Sequence, residues 1–216
     1  MKKLSLAILG LIAVVGGAVA MSGQVEAEAK NVETNKIMGV PEELQLQSND
    51  KYIGKIDAPV QIVEYASMTC GHCGHFYNDS FEKLKENYID TGKVRFVMRH
   101  LPWDNLALAV SKVIECAPEE QRESFIGVFM QAQEQWIVDN PLPAIKRLVR
   151  LGGMTGEKVE QCIADEDLQQ EIAEVKRVAV DVLKVRSTPT FFVNGQLVEG
   201  AVPYQVMANT IDGMLK

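Results

Sequence analysis

The sequence predicts an α/β or α+β fold that carries an all-helical insertion. Two short apolar runs flank a helix in the first half of the chain, and a strand–turn–strand hairpin followed by a helix ends it. Between these parts, about 80 residues show helical periodicity alone. Because the strands of a small sheet must lie side by side, the helical segment is expected to be a lobe inserted between two halves of one sheet.

The composition is typical of a folded domain and excludes several classes of protein. Of the 216 residues, 47% are hydrophobic and 24% are charged, and the formal net charge is −7. This length can bury a hydrophobic core without covalent staples, and the composition excludes collagen, low-complexity disorder and a disulfide-stapled miniprotein. The acidic balance argues against nucleic acid as a general partner, because no basic stripe is present to neutralise phosphates.

The N-terminus has the pattern of a secretory signal. Two lysines precede an apolar run from Leu4 to Met21, and small-x-small cleavage sites end at Ala20 and at Ala29. Residues 1–29 are therefore predicted to be a signal peptide. An uncleaved membrane anchor is the alternative, because about 18 apolar residues are near the lower limit for crossing a bilayer. In either case the protein is expected to be exported, and disulfides are permitted outside the cytoplasm.

The first half of the sheet is predicted within residues 51–103, after a polar N-terminal lead-in at residues 30–50. The apolar run Val60–Tyr65 is typical of a buried strand. Apolar residues then recur at helical spacing, so a helix is expected to start near Cys70. Val94–Met98 alternates as a second strand, which completes a strand–helix–strand unit.

Residues 104–183 are predicted to form the helical insertion. Prolines, glycines and one aspartate divide this segment into five candidate helices. These are Asn105–Cys116, Gln121–Gln135, Ala144–Leu151, Gly156–Ala164 and Leu168–Leu183.

Residues 184–216 are predicted to return to the sheet. Thr190–Val193 and Gln196–Glu199 flank Asn194-Gly195, which is a strong hairpin signal. An amphipathic helix from about Pro203 to Leu215 is expected to end the chain.

The motif Cys70-Gly71-His72-Cys73 stands where the first strand gives way to the helix. Free N–H groups and the positive end of the helix dipole at that position stabilise a thiolate at Cys70, and a protonated His72 adds a nearby cation. A lowered thiol pKa makes Cys70 a good nucleophile and leaving group. Cys73, on the same turn, can then attack a mixed disulfide. A lone CxxC is also compatible with a zinc site or with coincidence.

Two neighbouring features favour redox chemistry for this motif. Glu64 lies in the middle of the apolar strand, where a buried carboxyl can exchange a proton with Cys73. A carboxyl paired with a lysine or a backbone donor is the alternative. Pro189 stands at the entry to a strand, a position that tolerates proline, and the peptide bond before a proline can be cis. No metal is predicted, because a second CxxC to complete a four-ligand zinc site is missing from the sequence.

Together these motifs resemble the DsbA-like thiol:disulfide interchange family of the thioredoxin superfamily. The resemblance covers roughly residues 50–216 and rests on Glu64-Tyr65, Cys70-Gly71-His72-Cys73, Thr188-Pro189-Thr190 and Asn194-Gly195. It implies a thioredoxin fold with an all-helical domain inserted between its βαβ and ββα halves. It also implies that Cys70 is the exposed attacking sulfur and Cys73 the buried resolving sulfur. Thr188 and cis-Pro189 would lie against the pair and bind the backbone of an extended substrate.

The function that the resemblance implies is that of a periplasmic oxidoreductase, which introduces disulfides into reduced exported proteins. Its redox-active disulfide, Cys70–Cys73, would need no other cofactor, and a DsbB-like, quinone-coupled membrane protein would reoxidise it. Gly71 and Thr188 depart from the commonest oxidase pattern, so a disulfide isomerase or reductase is the alternative. A periplasmic chaperone with an incidental CxxC is the alternative outside this class. Residues 30–50 are too few for the N-terminal dimerisation domain typical of isomerases, which favours the oxidase.

Two cysteines remain in the helical insertion, Cys116 and Cys162. If Cys70 pairs with Cys73, the remaining pairing is Cys116 with Cys162. We therefore predict a structural disulfide that braces the insertion. Two buried free thiols are the alternative, since unpaired cysteines are common core residues.

Overall fold

The computed structural model describes residues 35–216, which form a five-stranded mixed sheet covered by helices. The strands are β1 (Tyr52–Ile53), β2 (Val60–Ala66), β3 (Val94–His100), β4 (Thr190–Val193) and β5 (Gln196–Glu199). Their order across the sheet is β1-β3-β2-β4-β5. The predicted signal peptide lies outside the described residues. Within residues 35–216, no helix combines the length and apolarity needed to cross a membrane.

Eight helices accompany this sheet in the described part of the chain. Helix α1 begins as Gly71–Phe76 and continues through a π-helical turn at Tyr77–Phe81, a short α-helical piece at Glu82–Leu84 and a second π-helical turn at Lys85–Ile89. The others are α2 (Asn105–Glu115), α3 (Glu119–Gln131), α4 (Gln133–Trp136), α5 (Leu142–Arg150), α6 (Gly156–Ala164), α7 (Glu166–Arg177, followed by a π-helical turn at Val178–Val182) and α8 (Tyr204–Met214).

The central strand β2 determines how the sheet is assembled. It pairs in parallel with β3 and antiparallel with β4, so that Ile62 lies between Phe96 and Val193. All seven of its residues are buried. Both faces of this strand are covered, and this explains why it is a continuous apolar run rather than an alternating one.

The alternation of side chains along β2 divides the core into two clusters. Val60, Ile62 and Ala66 point to the face that packs against α1, whereas Val63 and Tyr65 point to the opposite face. Side chains two residues apart share a face of a strand. The carboxyl at position 64 therefore lies on the α1 side of the sheet, in the middle of an apolar surface.

The predicted fold class is confirmed: helices α2 to α7 all lie between β3 and β4, and the sheet is formed from the residues on either side of them. Four of the five predicted helices of the insertion have other boundaries, and two of the differences are informative. The predicted helix Gln121–Gln135 is two helices, because the chain turns at Ala132. The predicted helix Leu168–Leu183 starts at Glu166, since the Asp165 side chain accepts two backbone N–H bonds and caps it.

The polar segment before β1 packs on the second face of the sheet. Leu44 and Leu46 are buried there. Arg99 of β3 pairs with Asp50 at 2.6 Å and donates to two backbone carbonyls of the segment. A buried guanidinium needs such partners, and a polar stretch can supply them from its backbone. Residues 35–50 are thus an integral part of the packed fold.

The structure joins Cys116 and Cys162 in a disulfide across 46 positions of sequence. Cys116 follows the last residue of α2, and Cys162 lies in α6. The bond therefore ties the first helix of the insertion to its fifth.

Removing this bond should destabilise the protein without disturbing the other two cysteines. We expect the Cys116→Ala, Cys162→Ala double variant to lose about 2 to 4 kcal/mol of unfolding free energy, because the unfolded chain regains the freedom of a long loop. Chemical denaturation of both proteins, with the Cys70–Cys73 pair oxidised, measures the difference. Equal unfolding free energies would contradict the bracing role.

Candidate functional site

The junction of β2 and α1 holds two free cysteines, Cys70 and Cys73. Cys70 is the N-cap residue of α1, in an extended conformation, and Gly71 is the first helical residue. Cys70 is half-buried, whereas Cys73, less than one turn further on, has no exposed surface. The helix start thus places one sulfur at the surface and the other in the core.

The Cys70 sulfur is surrounded by hydrogen-bond donors. A hydrogen bond from the Cys73 thiol is the largest influence, and together with donors from the Thr188 side chain and the backbone N–H groups of Cys73 and His72 it lowers the pKa of Cys70 to about 5. Partial burial opposes this shift. The free N–H groups of a helix start are among the donors, as the sequence led us to expect. At neutral pH Cys70 is therefore a thiolate.

The Cys73 sulfur, in contrast, is held as a protonated thiol. Burial raises the pKa of the Cys73 thiol far above its ordinary value, and the hydrogen bond to Cys70 and the nearby charge of Glu64 raise it further. A thiolate in the core would lose its hydration without gaining a countercharge. Only one of the two sulfurs therefore carries a charge at neutral pH.

Glu64 is buried on the α1 face of β2, as predicted. Burial raises its pKa to about 8, against an opposing hydrogen bond from Tyr77, and the charge of Cys70 adds to the rise. The Tyr77 hydroxyl donates to Oε2 at 3.0 Å, whereas Oε1 has no hydrogen-bond partner among the described residues. A tyrosine, rather than the lysine or backbone donor considered as an alternative, is thus the partner of this carboxyl.

Tyr77 is a site residue that the sequence analysis missed. It is itself buried, and together with Phe81 and Phe96 it lines a cavity of about 150 Å³. Its position four residues after Cys73 was the available signal, because residues i and i+4 share one face of a helix. A polar tip on an otherwise apolar helix face is the kind of group that a buried carboxyl requires.

Thr188 and Pro189, which follow the helical insertion in sequence, also lie at the site. The peptide bond between them is cis. The Thr188 carbonyl oxygen lies 3.2 Å from the Cys70 sulfur and accepts its hydrogen bond when the thiol is protonated. The pairing of β4 with β2 brings these residues, more than a hundred positions away in sequence, against the cysteine pair.

The His72 side chain is exposed, and its ring meets the edge of the His75 ring at a centroid distance of 6.1 Å. The contribution of His72 that the structure identifies is its backbone N–H, which stabilises the Cys70 thiolate. Across residues 35–216, no cluster of three or more histidine, cysteine, aspartate or glutamate side chains is arranged to hold a metal ion.

Two residues of the helical insertion also contact the loop that carries Cys70. Gln133 donates from Nε2 to the carbonyl oxygens of Met68 at 2.8 Å and Cys70 at 2.9 Å. The Thr69 hydroxyl donates to Asp104, whose other oxygen caps α2. The sequence contains no signal for these contacts, because they join distant segments through single polar side chains.

The fold and the cysteine pair define a thioredoxin-fold protein with a dithiol at a helix start. The thioredoxin family model matches residues 47–213, and the chain belongs to this family. The α-DsbA1 protein of Wolbachia pipientis has a crystal structure that superposes with a TM-score of 0.74 at 30% identity, covering 80% of this chain and 94% of that one. The DsbA-like resemblance noted in the sequence is thereby confirmed.

Curated relatives agree with this assignment. Disulfide bond formation protein D of Bacillus subtilis is 27% identical over 180 residues, which is 76% of this chain and 76% of that protein. A relative from Rickettsia bellii is 29% identical over 153 residues, or 70% of this chain. The match spans 59% of the Rickettsia bellii protein, so the chain corresponds to only part of that relative.

The ionisation of Cys70 can be measured directly. The ultraviolet absorbance of the thiolate in the reduced protein should titrate with a midpoint near pH 5, far below an ordinary thiol. In a Cys73→Ala variant the midpoint should rise, because the largest stabilising hydrogen bond is lost. A midpoint in the ordinary thiol range for the wild type would contradict the donor arrangement.

Glu64 should make the protein less stable as the pH rises. Its pKa is about 8 in the folded protein and 4.5 ordinarily, so between these values the unfolded chain releases a proton that the folded protein keeps. Folding is therefore opposed increasingly across this window. We expect Glu64→Gln to raise the unfolding free energy at pH 7 by up to about 3 kcal/mol and to have no effect near pH 4.

The measurement is denaturant unfolding of the oxidised proteins over this pH range, so that no thiolate titrates. Burial, the largest cause of the Glu64 shift, is independent of the redox state. Glu86→Gln, which alters an exposed carboxyl of α1, is the control and should leave the pH profile unchanged. A constant difference between wild type and Glu64→Gln at all pH values would show that folding does not raise the pKa of Glu64.

Proposed function

We propose that this protein is an exported thiol:disulfide oxidoreductase that introduces disulfides into reduced proteins through Cys70 and Cys73. The observation that carries the proposal is the placement of the two sulfurs, with Cys70 half-exposed at the start of α1 and Cys73 fully buried less than one turn further on. This placement favours a thiolate at Cys70 and a protonated thiol at Cys73. A zinc site or an incidental CxxC has no requirement for this difference. The name of the Bacillus subtilis relative, a disulfide bond formation protein, supports the same activity.

The reaction starts from the oxidised pair. A substrate thiolate attacks the half-exposed Cys70 sulfur, the Cys70–Cys73 bond breaks, and a mixed disulfide forms. Cys73 leaves with the electron pair and takes a proton, which Glu64 can supply because it is protonated at neutral pH. Burial makes a lasting Cys73 thiolate unfavourable, so the proton transfer is part of this step.

A second substrate thiolate completes the exchange. It attacks the substrate sulfur of the mixed disulfide and expels Cys70 as a thiolate. Two substrate thiols have then become a disulfide, and the protein disulfide has become the Cys70 thiolate and the Cys73 thiol. The low pKa of Cys70 makes it a good leaving group in this step.

The same thiolate sets the direction of electron flow. Stabilising the charge on Cys70 stabilises the reduced protein, and a protein whose reduced form is favoured is an oxidant. This argument supports the oxidase over the isomerase or reductase, despite the residues at positions 71 and 188. Thr188 and Pro189 lie where they can bind the backbone of an extended substrate beside Cys70, since the Thr188 carbonyl is in contact with that sulfur.

The reaction also requires partner proteins, because the electrons taken from the substrate must be passed on. Each turnover leaves the pair reduced, so another protein must accept two electrons before the next turnover. We assign this step to a DsbB-like, quinone-coupled membrane protein, and the substrates to reduced proteins exported to the periplasm. The pair itself would be the only redox group that this protein needs.

A trapping experiment tests the exchange step. In a Cys73→Ser variant the Cys70 thiolate can attack a disulfide of an exported protein, which breaks that disulfide, releases one of its sulfurs as a thiolate and forms a mixed disulfide. No thiol at position 73 is left to attack Cys70 and release the bound protein, so disulfide-linked complexes with exported proteins should accumulate in cells and disappear on reduction. A Cys70→Ser variant should trap none of them. If the Cys73→Ser variant forms no such complexes, the proposed enzyme activity is wrong.

The equilibrium of the Cys70–Cys73 pair with glutathione tests the direction. We expect the pair to be strongly oxidising. A strongly reducing pair would contradict the proposed oxidase activity and favour a reductase.

A further inference from the structure

The helical insertion reaches the cysteine pair through the side chain of Gln133. This residue is the first of α4, and its amide nitrogen donates both of its hydrogens, one to the Met68 carbonyl and one to the Cys70 carbonyl. The contact spans more than sixty positions of sequence. Both acceptors belong to the loop that presents Cys70, so one side chain from the insertion holds this loop at two points.

The amide of Gln133 also fits closely against α1. A Cβ atom placed on Gly74 would lie 2.5 Å from Gln133 Oε1 and 2.9 Å from the Met130 carbonyl oxygen. Any side chain at position 74 would therefore push the insertion away from the helix. The glycine that follows Cys73 is thus the residue that allows the amide to reach the loop.

The position of the Cys70 carbonyl affects the position of the Cys70 sulfur. It accepts the first hydrogen bond of α1, from the Gly74 N–H at 3.1 Å, while the Cys70 N–H donates to Ser67 at 3.0 Å. These bonds set the backbone angles of Cys70, and those angles determine whether its sulfur meets the donors of Cys73 and His72. Holding the carbonyl in place therefore keeps the sulfur among its donors.

We propose that Gln133 is a positioning residue through which the helical insertion stabilises the Cys70 thiolate and so makes the pair more oxidising. The redox consequence rests on the function proposed above, whereas the effect on the thiolate does not. Asp104 is a less suitable probe of this coupling, because it also caps α2 and its loss would weaken that helix.

The test compares three variants of the full chain. Gln133→Met keeps the length of the side chain and removes its donors. Gly74→Ala displaces the same amide from the side of α1. Gln135→Ala changes an exposed glutamine of the same helix and is the matched control. Far-ultraviolet circular dichroism establishes that each variant is folded.

Two readouts are made on each reduced protein: the titration of the Cys70 thiolate by absorbance, and the equilibrium of the pair with glutathione. Gln133→Met and Gly74→Ala should each raise the Cys70 pKa and shift the equilibrium toward the oxidised protein by about 3- to 10-fold, the effect of losing one hydrogen bond to the Cys70 sulfur when the loop moves. Gln135→Ala should behave as the wild type. If Gln133→Met does not fold, Gly74→Ala makes the same test.

A thiolate titration and a glutathione equilibrium that stay at wild-type values in folded Gln133→Met or Gly74→Ala protein would overturn the proposal. A purely structural role of Gln133 would lower the unfolding temperature and leave both redox readouts unchanged. If the wild-type pair proves to be reducing, the proposed oxidase activity fails, but the effect of Gln133 on the Cys70 pKa is still measured.

Discussion

A single negative charge, on the sulfur of Cys70, has to be stabilised within a few ångströms of a core that tolerates none. The start of α1 stabilises this charge and also keeps charge out of the core. Its free N–H groups face the surface, whereas its next residues enter the apolar interior. Cys73 and Glu64, both fully buried, are left protonated at neutral pH. The chemistry of the pair follows from this change from a polar surface at Cys70 to an apolar core at Cys73, which takes place within less than one helical turn.

Distant parts of the chain are needed to maintain this arrangement. Strand β2 supplies the buried carboxyl, the residues just before β4 bring the Thr188 side chain, a donor, to the Cys70 sulfur, and α4 holds the loop between β2 and α1 through Gln133. The sheet order places β4 beside β2, and the inserted helices lie between β3 and β4 in sequence. The insertion is therefore in contact with the residues that determine the reactivity of the thioredoxin-like part.

The features that could be predicted from the sequence are those with a local or periodic signal. The apolar run of β2, the Asn194-Gly195 hairpin and the CxxC at a helix start each depend on neighbouring residues, and the structure contains all three. Strand β1 has only two residues, too few for a pattern. Tyr77 acts through one hydrogen bond and Gln133 through two, each to groups outside its own helix. Residues 35–50 are held by backbone carbonyls, by Asp50 and by only two buried leucines. Such contacts have no periodicity, so only the folded chain reveals them.

The position of β4 has a consequence for a chain that is synthesised from its N-terminus onward. The contact between Cys70 and Thr188 closes a separation of 118 residues, so the centre of the sheet stays incomplete until nearly the whole polypeptide has been synthesised. The inserted helices contain both partners of the Cys116–Cys162 bond and can form their local contacts earlier. The Cys70 thiolate therefore acquires its full set of neighbours only after most of the chain has been made.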